Sequence, residues 1–357
     1  MTDSQKWLIL AFFLVTGLLT YLLSPILMPF AFAAMLAYLG DPLADKLEAI
    51  KIKSFQLGRT NAVIVVFTAM LLIFSIILIS VIPKIEYQIS QFLTNFPAYT
   101  KWLNMTVIPW LEQHLGIEIS LIEGEKIISV IKSQWQNAGK SAIKLLGSVS
   151  HSGAILAEWI MNLILIPVIT FYLLRDWDIL VKKTHDLLPR RISPTAEKLA
   201  IETDAVLGAF LRGQFYVMLG LGIIYSFGLW LVDLNLALLI GMIAGLVSFV
   251  PYLGSIVGIV IAGIAALLQF QDVMSLIPVC IVFIVGQSLE GMLLTPLLVG
   301  DKIGLHPVAV MFAVLAGGQL FGFLGILLAL PIASIIMVIL RHMHEIYRDS
   351  SFYSVED

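Results

Sequence analysis

The sequence predicts an all-α, polytopic integral membrane protein of about eight transmembrane helices, and three observations carry that expectation. Apolar residues make up 59% of the 357 positions and charged residues only 13%, against roughly 25% charged in a soluble domain. The apolar residues gather into runs of about 20, the length that crosses a hydrocarbon layer of about 30 Å. In the C-terminal half, two long runs are interrupted by Gly and Pro instead of charge, as two helical hairpins would be.

Each element can be justified in turn. Lys6 precedes an apolar run, 7–23, which is long for a signal h-region of about 7–15 residues. Apolar sequence continues past the small residues Ala31 and Ala33, so a retained helix is expected rather than a cleaved leader. A second run, 26–39, follows after Ser24 and Pro25, with Pro29 inside it, and the pair reads as a helical hairpin with a Pro-rich turn. After a polar stretch, 40–60, the third span covers 61–82 and ends at Pro83. Residues 1–82 thus form three N-terminal spans, and 83–153 form a long polar excursion. Within that excursion Ile127, Ile128, Ile131, Trp135, Ala138, Ala142, Leu145 and Leu146 recur at helical spacing, which predicts an amphipathic helix.

The fourth span, 154–174, is stopped by Arg175 and Asp176, and 175–211 is a second polar, helical excursion. The C-terminal core, 212–341, opens with a fifth span, 213–232. Run 236–270 is broken at Pro251-Tyr252-Leu253-Gly254, run 273–294 carries Gln287 and Glu290, and run 307–340 is broken by Gly317, Gly318, Gly322 and Gly325. Each broken run fits a tight hairpin dipping into the membrane as well as it fits two full crossings. Residues 342–357 are a polar tail, and Trp7, Trp102, Trp110, Trp159, Trp177 and Trp230 fall near span borders, as an aromatic belt would.

Basic residues orient the chain. Six of the 21, Lys84, Lys101, Lys126, Lys132, Lys140 and Lys144, fall in the one long loop 83–153, and the other fifteen fall at the N-terminus, 40–60, 175–212, 295–306 and from Arg341 through the tail. The positive-inside rule places those fifteen and both termini in the cytoplasm, while a loop longer than about 60 residues crosses largely regardless of charge. Runs 236–270 and 307–340 then become hairpins of opposite polarity flanking the Glu290 span.

Glu290 is the sharpest chemical signal. A carboxylate at mid-membrane costs about 2.5–3.5 kcal/mol on insertion scales, so it faces protein or water. Gln287 lies on the same face, one turn earlier. Pairing with a basic residue such as Arg212 would give Glu290 a purely structural role, whereas carrying an ion would make it functional. Gly/Pro-interrupted segments point to a solute site because unwound backbone offers polar groups at depth, which nominates Pro251, Gly254, Gly317 and Gly318. The same glycines would equally serve close helix packing. Arg212 reads first as an interface anchor or phosphate contact and second as a substrate ligand.

Other chemistry is excluded. Gln134 stands where a phosphate-binding loop ending in Gly139-Lys140-Ser141 needs its first glycine, and no His-Glu-x-x-His zinc pattern occurs. Ser150-His151-Ser152-Gly153 and Leu298-Val299-Gly300-Asp301 each lack the leading glycine of an intramembrane protease motif. The single cysteine, Cys280, allows no disulfide framework, and a net charge of −3 argues against nucleic acid. No cofactor is expected, no catalysis, and no nucleotide site, so active transport would draw on an ion gradient.

An ordered set of motifs then narrows the reading. Leu187-Leu188-Pro189, Leu211-Arg212-Gly213-Gln214, Phe249-Val250-Pro251-Tyr252-Leu253-Gly254 and Gln287-Ser288-Leu289-Glu290-Gly291 come first. Thr295-Pro296, Gly304-Leu305-His306-Pro307, the Gly317-to-Gly325 glycines and Ala329-Leu330-Pro331 complete it. Together they resemble the autoinducer-2 exporter (AI-2E) family of permeases, of the PerM kind. The resemblance implies a bacterial inner-membrane permease of about eight helices, assembled as a homo-oligomer in membrane lipid, with 212–341 as its core. It also implies a small-molecule or ion substrate, through export of autoinducer-2 or exchange of sodium or lithium for protons. From the sequence itself, an oligomeric pore, or a membrane protein binding an envelope partner through 84–153, remain as alternatives.

Overall fold

The computed structural model describes residues 22–52, 55–56, 58–115, 153–190, 192–299 and 306–348, with Trp7, Ala11, Val15, Gly17–Thr20 and Tyr353. The expected first span, 7–23, lies largely outside the described residues, and the expected amphipathic helix at 127–146 lies wholly outside them. Among the described residues the fold is helical, apart from a two-residue ladder pairing Lys51–Ile52 (β1) with Phe55–Gln56 (β2). Among the described residues, six helical stretches are long and apolar enough to cross a membrane: Ile26–Glu48, Arg59–His114, Ser193–Leu231, Leu253–Phe270, Val273–Val299 and Val308–Arg348. Large apolar side chains stand fully exposed along them, among them Ile79 and Phe312. Water does not tolerate such a surface, and lipid does.

Helix α1 is Ser24–Glu48, with Pro25 in its first turn, where a missing N–H is harmless, and Pro29 and Pro42 inside it. Helix α2 is Arg59–Trp102, about 66 Å at 1.5 Å per residue. The expected end at Pro83 is therefore corrected, because the helix runs through Pro83 and Pro97. A proline deletes one hydrogen bond, and here side chains hold the turns beyond it. Phe92 packs on Phe96 and Tyr99, with ring centroids 5.9 and 5.4 Å apart. A π-helical turn, Leu103–Val107, then leads into α3, Ile108–Leu115.

Helix α4, Gly153–Asp186, likewise runs past its expected stop. Arg175 Nε and Nη2 donate to the two carboxylate oxygens of Asp176, each at 2.7 Å, and the guanidinium lies over the Tyr172 ring. The two charges neutralise each other locally and leave the helix uninterrupted. Helix α5 is continuous over Ser193–Leu231, so Arg212 lies inside a helix and does not open one. The remaining elements are α6 (Ala237–Val247), α7 (Leu253–Phe270), a 3-10 turn Val273–Ser275, α8 (Leu276–Leu289), a π-helical segment Glu290–Val299, and α9 (Pro307–Arg348).

The chain divides into two compact units. One comprises 1–72, 161–216 and 295–357, the other 73–160 and 217–294. In the first, small residues let helices approach. Ala37, Ala44, Val63, Val66 and Leu174 form a buried cluster, and Gly40 faces Met70 and Leu174. At its polar end, Arg59 Nη2 reaches Asp41 (2.5 Å) and the Leu174 carbonyl (3.0 Å), and Nη1 bonds Asp45. Tyr38 donates to Asp204, tying α1 to α5.

In the second unit α6 and α7 pack together across the turn 248–252, and α8 packs on α7. Gly241 and Gly245 lie against Ser226 and Gly222 of α5, and Gly258 lies against Ala244 and Phe283. Left-handed Asp233, Tyr252 and Gln271 mark the chain reversals. Gln269 braces one of them, accepting from Asn235 N at 2.8 Å and donating to the Asp233 carbonyl at 2.6 Å.

Candidate functional site

Helix α8 is uniformly apolar until its last turn, and there the polar residues appear. Gln287 Nε2 donates to Glu290 Oε2 at 2.9 Å, closing the i, i+3 pair that the spacing predicts. Glu290 is only 7% exposed. It also stands where the α-helix gives way to the π-helical segment, which contains Pro296. Such widened turns are frequent at functional sites. Among the described residues, no Lys or Arg of its own unit pairs with Glu290.

A third residue joins them. Tyr225, midway along α5, is 0% exposed and stacks on Phe283 of α8 with centroids 4.6 Å apart. Gly286 makes this possible, since a Cβ there would run into the Tyr225 ring. The phenol ring therefore lies against Gly286, the residue next to Gln287 and one turn before Glu290. Tyr225 Oη and Gln287 Oε1 are both buried without a hydrogen-bond partner among the described residues. Buried polar atoms are almost always paired, so two orphans, one on the amide that holds Glu290 and one on the ring packed against the preceding residue, mark a place where a ligand would be held.

The other nominated residues take different roles. Pro251 sits half-buried in the 248–252 turn, where Ser248 N bonds the Ala244 carbonyl and Val250 N bonds the Val247 carbonyl. The turn thus satisfies several of its own donors. A Cβ on Gly254 would strike Ser248 and the Ala244 carbonyl, so this glycine lets α7 close on α6. In the first unit, Phe321 (φ −131°, ψ 15°) and Gly322 (φ 58°, ψ −137°) break α9. Gly317 meets Gly325 and Ala329, and Gly318 meets Ile326. Residues eight and twelve apart cannot touch along a straight helix, so the chain folds back at Gly322. Arg212 lays its guanidinium over Gly208, one turn earlier, and interacts electrostatically with Tyr38. Its neighbour Gly213 admits the backbone of Leu298 and Val299.

Sequence reasoning missed Tyr225. The available signal was a Tyr in mid-span with glycines at 222 and 228. It was passed over because tyrosine counts as apolar in a hydropathy reading, although its buried hydroxyl wants a partner.

The chain is 33% identical over 177 residues to "Putative transport protein YrrI" of Bacillus subtilis (strain 168), a match spanning 50% of each chain. It is 25% identical over 341 residues to "Putative permease PerM" of Escherichia coli (strain K12), covering 92% of this chain and 90% of that one. It is 21% identical over 339 residues to the "Sodium-lithium/proton antiporter" of Halobacillus andaensis, covering 91% and 92%. The model of the AI-2E family transporters matches residues 9–345. With apolar spanning helices, relatives named as permeases and transport proteins, and a family match over nearly its whole length, this chain belongs to the AI-2E transporter family.

Proposed function

We propose that this chain is a secondary transporter whose driving ion is carried by Glu290. The observation behind this reading is a carboxylate that is buried within a membrane span, held by Gln287, and without a basic partner in its own unit among the described residues. An ionised carboxylate left alone at such a place costs several kcal/mol. A proton or a monovalent cation removes that cost, and the departure of one favours the arrival of the other. Such a site exchanges its occupants more readily than it empties. Exchange of sodium or lithium for protons, the activity in the name of one relative, follows this logic. Export of a small polar metabolite such as autoinducer-2 on the same gradient is the other cargo compatible with it.

In this reading the chain has about eight spans in the bacterial inner membrane, with both termini in the cytoplasm, and works as a homo-oligomer. The helix pairs 236–270 and 307–340 are interrupted hairpins of opposite polarity. The α6–α7 turn and the fold-back at Gly322 support that assignment. Pro251, Gly254, Gly317 and Gly318 shape the moving elements, and Arg212 anchors α5 at the inner surface.

Proteoliposomes with imposed proton and sodium gradients test the reading. Glu290→Gln keeps size and hydrogen bonding but removes the titrating charge. It is expected to abolish gradient-driven flux per correctly assembled oligomer while insertion and assembly persist. Unchanged coupling in that variant refutes the carrier role, and flux that is ohmic and does not saturate identifies a pore instead.

A further inference from the structure

The buried orphans beside Glu290 carry a more specific statement. Resting on the carrier reading above, we propose that Tyr225 Oη and Gln287 Oε1 are the neutral oxygen ligands that let the Glu290 site hold a dehydrated alkali-metal cation in addition to a proton.

The two occupants make different demands. A proton needs one basic oxygen, which Glu290 supplies alone. A hard metal cation entering a dry site must replace its hydration shell with several oxygens. The second unit provides such a set: one carboxylate, one amide oxygen and one phenolic oxygen, the last two buried and without partners among the described residues. The amide is already oriented, because its Nε2 is committed to Glu290 Oε2 at 2.9 Å, leaving Oε1 as the free end. The phenol is fixed by its stack on Phe283 and by the missing side chain at Gly286. The set carries a single negative charge, so a monovalent ion leaves it neutral, and a divalent ion would leave an uncompensated buried charge. Among the described residues no group of three His, Cys, Asp or Glu side chains comes together, so no multivalent site of that type competes. The lone pairs of Tyr225 Oη serve the ion, and the phenolic hydrogen turns away from it. Tyr225 is therefore a specificity-determining residue that separates metal cation from proton.

The test is Tyr225→Phe, which deletes one oxygen and keeps the ring that stacks on Phe283. In proteoliposomes it is expected to raise the sodium or lithium concentration for half-maximal exchange by about tenfold, the low end of what a lost metal-site partner costs. The maximal rate should change by less than that. Purified protein gives a readout independent of flux. Sodium or lithium chloride, compared with choline chloride, should raise the melting midpoint of the parent protein, because a ligand stabilises the state that binds it. Tyr225→Phe should need about ten times more salt for the same rise. Should that variant assemble poorly, Gln287→Met removes the other neutral oxygen and is expected to act in the same direction. An unshifted half-saturation in Tyr225→Phe, or no effect of alkali cations on the parent protein, overturns the proposal. Glu290→Gln, run in parallel, keeps the two ideas apart. If it abolishes coupling while Tyr225→Phe changes nothing, only the metal subsite fails. If coupling survives in it, the carrier reading itself fails.

Discussion

Arg59 holds three carboxylates and a carbonyl in the first unit. Its guanidinium reaches Asp41, Asp45 and, at 3.5 Å, Glu48, along one face of α1, and it also bonds the Leu174 carbonyl of α4. A planar fork with five donors can do this, and a lysine ammonium cannot. Arg59→Ala is expected to destabilise the protein by about 2 kcal/mol, below the ~3–5 kcal/mol of a fully buried pair because Asp45 is open to solvent. Arg59→Lys should recover little of the loss. Melting midpoints of the three proteins in one detergent check both statements, and a full rescue by lysine would show that charge alone matters. At this scale the sequence was partly legible. Glu290 and Gln287 stood out because a carboxylate and an amide in an apolar run are conspicuous. Tyr225 did not, since its burial depends on a glycine 61 residues away in the chain that faces its ring. The Arg59 cluster was likewise hidden. Its residues fell in the polar stretch 40–60, which composition alone reads as a loop.

Among the elements, the run boundaries were legible and the helix ends were not. Hydropathy marks where lipid begins and ends, whereas hydrogen bonding continues wherever the backbone allows. Thus α2 passes Pro83 and α4 passes Arg175, each extending beyond its apolar run. The glycine-rich break in 307–340 was legible as a break, but four glycines competed for it. Only Gly322 has the positive φ that requires glycine. A pair of substitutions isolates that requirement, because a Cβ at Gly322 or at Gly291 meets nothing within 4 Å. Gly322→Ala should cost about 1–3 kcal/mol through backbone strain alone. Gly291→Ala, at negative φ in a helical segment, should be neutral or slightly stabilising. Equal melting midpoints for the two variants would mean that the fold-back at Gly322 imposes no conformational demand.

For the whole molecule, the open question is which polar segments face the cytoplasm, and the basic residues supply the argument. Asymmetry in Lys and Arg sets orientation when loops are short. Here fifteen of the 21 fall on one side if 83–153 is outside and 175–211 is inside. The opposite orientation would leave most short basic segments on the side that translocation disfavours. Segment 175–211 carries a turn with exposed charges. Helix α4 ends at Asp186, residues 187–190 leave the helix, and α5 begins at Ser193, with Lys182, Lys183, Glu197 and Lys198 exposed nearby. Single cysteines in a Cys280→Ala background read the orientation directly. Ser129 serves for the long loop. Thr195 serves for the turn, since it is exposed, whereas Ser193 lies within 3.0 Å of the His185 ring. An impermeant thiol reagent applied to intact cells, with the outer membrane permeabilised where one is present, should label position 129 and leave 195 unlabelled until the inner membrane is opened. The reverse pattern would invert every element, place the termini outside and exchange the faces on which the two interrupted helix pairs open. Glu290 would stay at the same depth in either case, so the labelling tests the orientation of the chain independently of the residue that carries the ion.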